Sequence, residues 1–198
     1  MKFLCLDTTL NNCSIHIVSP GKECLTVSDN QVPPSDVIPI LVKKAMLKLN
    51  LKISDIDGII VATGPGNFTS LRVGISFGVG LSKSLSIPIY GVSSLQSLVF
   101  SFREEIKKNE NFLVTIKARG EDYFFQPFDN IPWSRNAPWE GAMDALEPRN
   151  RYLFYDHPLC SSAVVVWLSK HEMMKGKQRS PPSPSLTSLT SLKLIIIS

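Results

Sequence analysis

The chain has 198 residues, 43% of them hydrophobic and 19% charged, with a formal net charge of +4. These are the proportions of an ordinary globular protein with enough chain for one or two lobes and a real core. All of the excess charge lies in residues 170–198, where Lys170, Lys175, Lys177, Arg179 and Lys193 stand against Glu172 alone; residues 1–169 balance to zero, which argues against a broad basic face for direct nucleic-acid binding.

No run approaches the roughly 20 apolar residues that span a bilayer. The opening Lys2-Phe3-Leu4-Cys5-Leu6-Asp7 places an acid too early for a secretory leader. Cys5, Cys13, Cys24 and Cys160 form no C-x-x-C pair, so a reduced, cytoplasmic protein is expected.

Residues 2–6 form a short apolar run that meets Asp7-Thr8-Thr9. Residues 13–18 alternate, with Cys13, Ile15 and Ile17 on one face, and the turn Ser19-Pro20-Gly21-Lys22 leads to a third strand at 23–28. This reads as an antiparallel meander. From Ser35 to Leu49 the apolar residues Ile38, Leu41, Val42, Ala45 and Leu49 take up helical spacing. Ser35 is the expected N-cap, Asp36 suits the first turn, and Pro39 is tolerated as a first-turn residue.

Ile56 to Ala62 is apolar apart from Asp57 and Gly58 and reads as a buried central strand. The loop Thr63-Gly64-Pro65-Gly66-Asn67-Phe68-Thr69 leads to a helix over about Ser70–Leu85. Ile87–Val92 is a further strand, and Ser93 or Ser94 caps a third helix. The order β-β-β-α-β-α-β-α predicts an α/β mixed sheet with helices packed on it. Beyond residue 102, Phe112–Lys117 and Tyr123–Phe128 predict a strand pair. Residues 129–150 show no period, Ala163–Leu168 fits strand or helix, and the Ser-, Pro- and Thr-rich segment from Arg179 reads as a disordered tail.

Gly64 and Gly66 permit tight backbone, and the helix that follows presents free N–H groups to an anion; a purely structural strand-to-helix turn is the alternative. The loop is not a Walker A motif, for it lacks the Lys and Ser/Thr that hold phosphate and Mg²⁺. Asp7 is placed to hold a metal or water near phosphate, or simply to cap a turn. In the next helix Ser70, Gly74, Gly78 and Ser82 recur every four residues. Interior glycines cost about 1 kcal/mol each in a helix, so some element is expected to approach that stripe closely. It is either a partner's helix or the chain's own structure. His16, His157 and His171 have no metal-ligand spacing and support neither a metal site nor a Ser-His-Asp system.

Three motifs in order resemble those of the TsaB (YeaZ) family: Leu6-Asp7-Thr8-Thr9, Val61 to Gly74 and Ile87 to Leu95. Lys117-Ala118-Arg119-Gly120-Glu121-Asp122-Tyr123 extends the likeness more weakly. The resemblance implies an actin-like ATPase (ribonuclease-H-like) fold with two lobes, the second reduced or divergent. It implies a non-catalytic scaffold subunit, with no catalytic residue and no metal. That subunit binds a TsaD-type catalytic subunit and works with a TsaE-type ATPase, making threonylcarbamoyladenosine beside the tRNA anticodon. It also implies a homodimer when alone, contact with tRNA only through the partner, and no cofactor of its own, with ATP held by the partner or at the shared interface.

Carried onto this chain, the partner-binding residues are expected at Val37, Leu41, Arg72, Gly74, Ile75, Gly78 and Val79. A degenerate nucleotide-site loop is expected at Asp7, Thr8, Gly64, Gly66 and Thr69. Departures from the family pattern include Asn67 for Ser, Ser70 for Gly, Lys117 for Asp, and a drifting end from Ser183. The expected organisation is an N-terminal lobe over 1–101, a divergent lobe over 102–178 and a tail over 179–198. The alternative reading is a stand-alone ATPase or phosphotransferase of the same fold, with Asp7 and the Gly64–Thr69 loop at its nucleotide site.

Overall fold

The computed structural model describes residues 1–9, 13–28, 32–101, 111–117, 122–129, 139–142, 152–154 and 193–197. β1 (Phe3–Asp7), β2 (Ser14–Ser19) and β3 (Lys22–Val27) form the meander, with β2 antiparallel to both neighbours. β4 (Gly58–Ala62) then runs parallel to β1, and β5 (Ile89–Val92) parallel to β4. The sheet order is β3-β2-β1-β4-β5, so the two strands richest in apolar residues, β1 and β4, lie at its centre. Every residue of both is buried, because strands covered on both faces have no polar side to present.

α1 (Pro34–Leu49) crosses from β3 to β4, and α2 (Phe68–Leu85) from β4 to β5. Both lie on one face of the sheet: Ile38, Leu41, Val42, Ala45 and Leu49 of α1 join Leu4, Leu6, Ile15, Ile17, Ile59 and Val61 in a single core, which Val73, Ile75, Phe77 and Leu81 of α2 flank. α3 (Ser94–Ser101) follows β5. α1 begins one residue earlier than the periodicity predicts. Pro33 precedes it without a side-chain cap, and Pro34 at the first helical position supplies a preset φ and needs no N–H partner. Ser35 is therefore not the cap; its hydroxyl binds the Asp36 carboxylate at 2.9 Å. Pro39 consequently falls beyond the first turn. It is exposed, so water can reach the Ser35 carbonyl that its missing N–H leaves unpaired. α2 also starts early, at Phe68, because the Asn67 side chain caps it by accepting from the Ser70 N–H at 3.1 Å.

A second sheet has the order β8-β7-β6-β10-β9. β6 (Asn111–Lys117) and β7 (Asp122–Asp129) are the expected strand pair, antiparallel from Asn111↔Asp129 to Lys117↔Tyr123. β8 (Trp139–Ala142) pairs with β7 inside the stretch that shows no period in the sequence. β9 is Tyr152–Phe154. β10 (Lys193–Ile197) lies parallel between β6 and β9. This differs from the disordered tail read from composition, since Ile195-Ile196-Ile197 is a β-branched run that fits a ladder whatever precedes it. The expected element at 163–168 and the rest of the tail lie outside the described residues.

Candidate functional site: a loop junction and an exposed helix pair

β1, β4 and β5 all end at the same edge of the first sheet, and three chain turns meet there. Asp7 is 2% exposed. Its Oδ1 accepts from the Thr9 N–H at 2.9 Å and from the Thr9 hydroxyl at 2.7 Å, and Oδ2 is buried without a partner among the described residues. The Thr8 hydroxyl donates to the Ser70 carbonyl at 2.7 Å, tying β1 to the first turn of α2. The Thr9 carbonyl accepts from Asn67 N–H at 2.8 Å.

Gly64 sits at φ +97, a left-handed conformation that glycine alone adopts freely. Its carbonyl accepts from the Ser94 N–H at 2.9 Å, which joins the loop to the start of α3. At Gly66 a Cβ would collide with the Thr9 carbonyl, so this glycine is required by close backbone packing. The Gly64–Pro65 peptide is cis.

This junction brings Asp7, Thr8, Gly64 and Gly66 together, with the exposed Thr69 on the turn beside them. The Asn67 N–H is held by the Thr9 carbonyl, the Ser70 N–H by the Asn67 side chain and the Leu71 N–H by the Asn67 carbonyl. One first-turn donor of α2, the Ser70 N–H, is thus taken by the cap. No Lys or Arg lies in the loop, and the buried Asp7 carboxyl lies at the same junction.

Cys13 lies close to this carboxylate. Burial, together with the charge of Asp7, pushes its thiol up from 9.0 to about 12. Since the folded value exceeds the unfolded one, the stabilisation from a protonated Cys13 is complete below pH 9.0 and drains away as pH rises toward about 12. Urea unfolding across that interval is expected to show the wild-type chain losing more stability than Cys13→Ala. Equal losses would mean that the thiol is not protected.

The residues expected to bind a partner separate into two groups. Val37 and Leu41 are buried in the core at 8% and 5% exposure, so they are not available to another chain. Gly74 and Gly78 are also inward. A Cβ on Gly74 would collide with the Thr8 side chain, and one on Gly78 would lie 2.6 Å from Val61 Cγ1 and 3.3 Å from Leu6 Cδ1. The small-residue stripe therefore meets the chain's own sheet, which corrects the reading of it as a partner's contact face. Helical spacing alone shows that a close approach occurs but not which element makes it.

Arg72 is exposed and stacks over the Phe68 ring, 4.2 Å from its centroid. Ile75 and Val79 are half-buried along the flank of α2. The structure adds residues that the sequence reading missed. Ile40 and Leu47 on α1 and Phe68 on α2 are 63%, 71% and 66% exposed. The signal for Ile40 and Leu47 was present, since they lie seven residues apart and out of phase with the core stripe of α1.

The family described as "TsaD: tRNA N6-adenosine threonylcarbamoyltransferase" matches residues 35–130. The tRNA threonylcarbamoyladenosine biosynthesis protein TsaB of Buchnera aphidicola (subsp. Schizaphis graminum) is 32% identical over 124 residues, covering 61% of this chain and 58% of that protein. TsaB of Escherichia coli is 29% identical over 143 residues, with 67% and 58% coverage. The chain thus spans little more than half the length of these curated relatives. A tRNA N6-adenosine threonylcarbamoyltransferase from Geotalea daltonii is 32% identical over 91 residues, 46% of this chain and 27% of that protein. Among solved structures, YeaZ from Pseudomonas aeruginosa superposes with a TM-score of 0.74 at 18% identity, covering 88% of this chain and 93% of that one. The fold is therefore the actin-like, ribonuclease-H-like one, a mixed sheet flanked by helices.

Proposed function

We propose that the chain is a TsaB (YeaZ)-type protein, which its similarity to the TsaB relatives supports, and that it takes part in threonylcarbamoyladenosine biosynthesis on tRNA as a non-catalytic subunit that docks a TsaD-type catalytic subunit. The observation that carries this reading is the outer surface of α1 and α2. A chain folded alone gains by burying Ile40, Leu47 and Phe68, yet all three stand in solvent at 63%, 71% and 66% exposure. Large apolar side chains left exposed on two neighbouring helices suit a surface that another protein covers.

The docking set is then Ile40, Leu47, Phe68 and Arg72, with Ile75 and Val79 on the flank. Val37, Leu41, Gly74 and Gly78 support it from behind by fixing how the helices sit on the sheet. In this role ATP belongs to the partner or to a TsaE-type component, and tRNA is met through the partner's surface. The stand-alone ATPase reading finds no Lys or Arg in the loop to hold a phosphate. Mixing the purified chain with its cognate TsaD-type subunit is expected to give one co-eluting species on size exclusion. Separate elution at micromolar concentrations overturns the proposal.

A further inference from the structure

Asp7 is buried and forms no part of the surface on α2, yet a continuous run of hydrogen bonds joins the two. Asp7 Oδ1 accepts from the Thr9 N–H at 2.9 Å and from the Thr9 hydroxyl at 2.7 Å. A carboxylate bound to the N–H two residues on is an Asx turn, and it folds the chain back where it leaves β1. The Thr9 carbonyl, aimed by that turn, accepts from the Asn67 N–H at 2.8 Å. Asn67 in turn caps α2 by accepting from the Ser70 N–H at 3.1 Å. A second path runs through Thr8, whose hydroxyl donates to the Ser70 carbonyl at 2.7 Å. Residues 67–70 are therefore gripped at both ends from the end of β1, and Phe68 lies between the two grips.

The two ends of this run differ in burial. Asp7, Thr8 and Thr9 are shielded from water, where hydrogen bonds are electrostatically stronger. Phe68 stands in solvent with Arg72 stacked over its ring, so its place is set by the backbone turn that carries it. We infer that Asp7 is a positioning residue for the first turn of α2: acting through Thr9 and Asn67, it presets Phe68 and Arg72 so that they need not be ordered when a partner binds. This rests on the functional reading above. The position calls for an acceptor oxygen, since Oδ1 alone makes the bonds and Oδ2 is buried without a partner among the described residues. Asparagine offers the same acceptor without the charge.

The test is a calorimetric titration with the cognate TsaD-type subunit. The chains compared are wild type, Asp7→Asn, Asp7→Ala, Phe68→Ala/Arg72→Ala, and the triple variant that adds Asp7→Ala to that pair. Asp7→Ala is expected to raise Kd about tenfold, and Asp7→Asn to stay within about threefold of wild type. Where Phe68 and Arg72 have already been truncated, Asp7→Ala is expected to raise Kd by less than about threefold, because nothing is left for it to position. A general loss of folded chain would give the same factor in both backgrounds. If Asp7→Ala does not fold, Thr8→Val enters the same cycle, for it keeps the shape and removes only the donor to the Ser70 carbonyl. Equal factors in the two backgrounds, or an Asp7→Asn chain as impaired as Asp7→Ala, overturns the inference and leaves the functional reading standing. No binding by the wild-type chain overturns both.

Discussion

Gly78→Leu is expected to destabilise the fold itself rather than merely release a partner. The Cβ that any other residue brings would lie 2.6 Å from Val61 Cγ1, 3.2 Å from Ile89 Cδ1 and 3.3 Å from Leu6 Cδ1. These atoms belong to the packed side of β1, β4 and β5, so α2 must lift away from the sheet to admit a leucine. Overpacking on this scale costs about 3 kcal/mol, which for a chain of this size lowers Tm by about 10 °C. Gly74→Leu is expected to act in the same way through Thr8, whose side chain stands where the new Cβ would go. It would also break the hydrogen bond from the Thr8 hydroxyl to the Ser70 carbonyl.

Gly80→Ala is the internal control. That position is exposed, with nothing within 4 Å of an added Cβ, so the change is expected to stabilise the helix by about 0.5–1 kcal/mol. Thermal melts of the three variants check this ordering. A Gly78→Leu chain that melts like wild type but no longer binds its partner would return the stripe to the interface.

Ile40→Asp/Leu47→Asp is expected to have the opposite signature. Both side chains stand mostly in water, so stability should change by less than about 0.5 kcal/mol for each substitution. If the α1–α2 face docks the TsaD-type subunit, each aspartate places a charge where an apolar residue is covered. A central apolar contact is worth about 2 kcal/mol, so each change is expected to weaken the complex about 30-fold. Circular dichroism melts and calorimetric titration separate the two effects. Unchanged affinity would show that another face carries the partner. Together the two sets of variants dissect one helix layer, with fold on the sheet side and docking on the solvent side.

Much of the first sheet was legible in the residues. The alternation around Ile15 and Ile17, the apolar run of β4 and the 3.6-residue period of α1 are local patterns, and local patterns report secondary structure directly. Helix starts were missed by one or two residues because two different devices act there. Pro34 opens α1 through backbone geometry, and Asn67 opens α2 with its side chain. β8 and β10 were not legible for a different reason: short strands draw their stability from the neighbours they pair with, and a four- or five-residue stretch carries little periodicity of its own.

The candidate site divides along the same line. Motif and composition placed Asp7, Gly64, Gly66 and the glycine stripe of α2 among the residues that matter, since a glycine kept inside a helix implies that something approaches it. Helical spacing also set Ile40 and Leu47 apart from the core stripe. Only the tertiary structure decided what each approaches. Gly74 and Gly78 meet Thr8, Val61 and Leu6 of the same chain, and the Asn67 side chain takes the Ser70 N–H at the start of α2. Charge followed the same rule. The sum over residues 1–169 is a property of composition and reads as neutral. Lys43, Lys44, Lys48, Arg72 and Lys83 nonetheless lie on the exposed side of α1 and α2, because helix geometry gathers every third and fourth residue onto one side, while packing against the sheet fixes which side meets water.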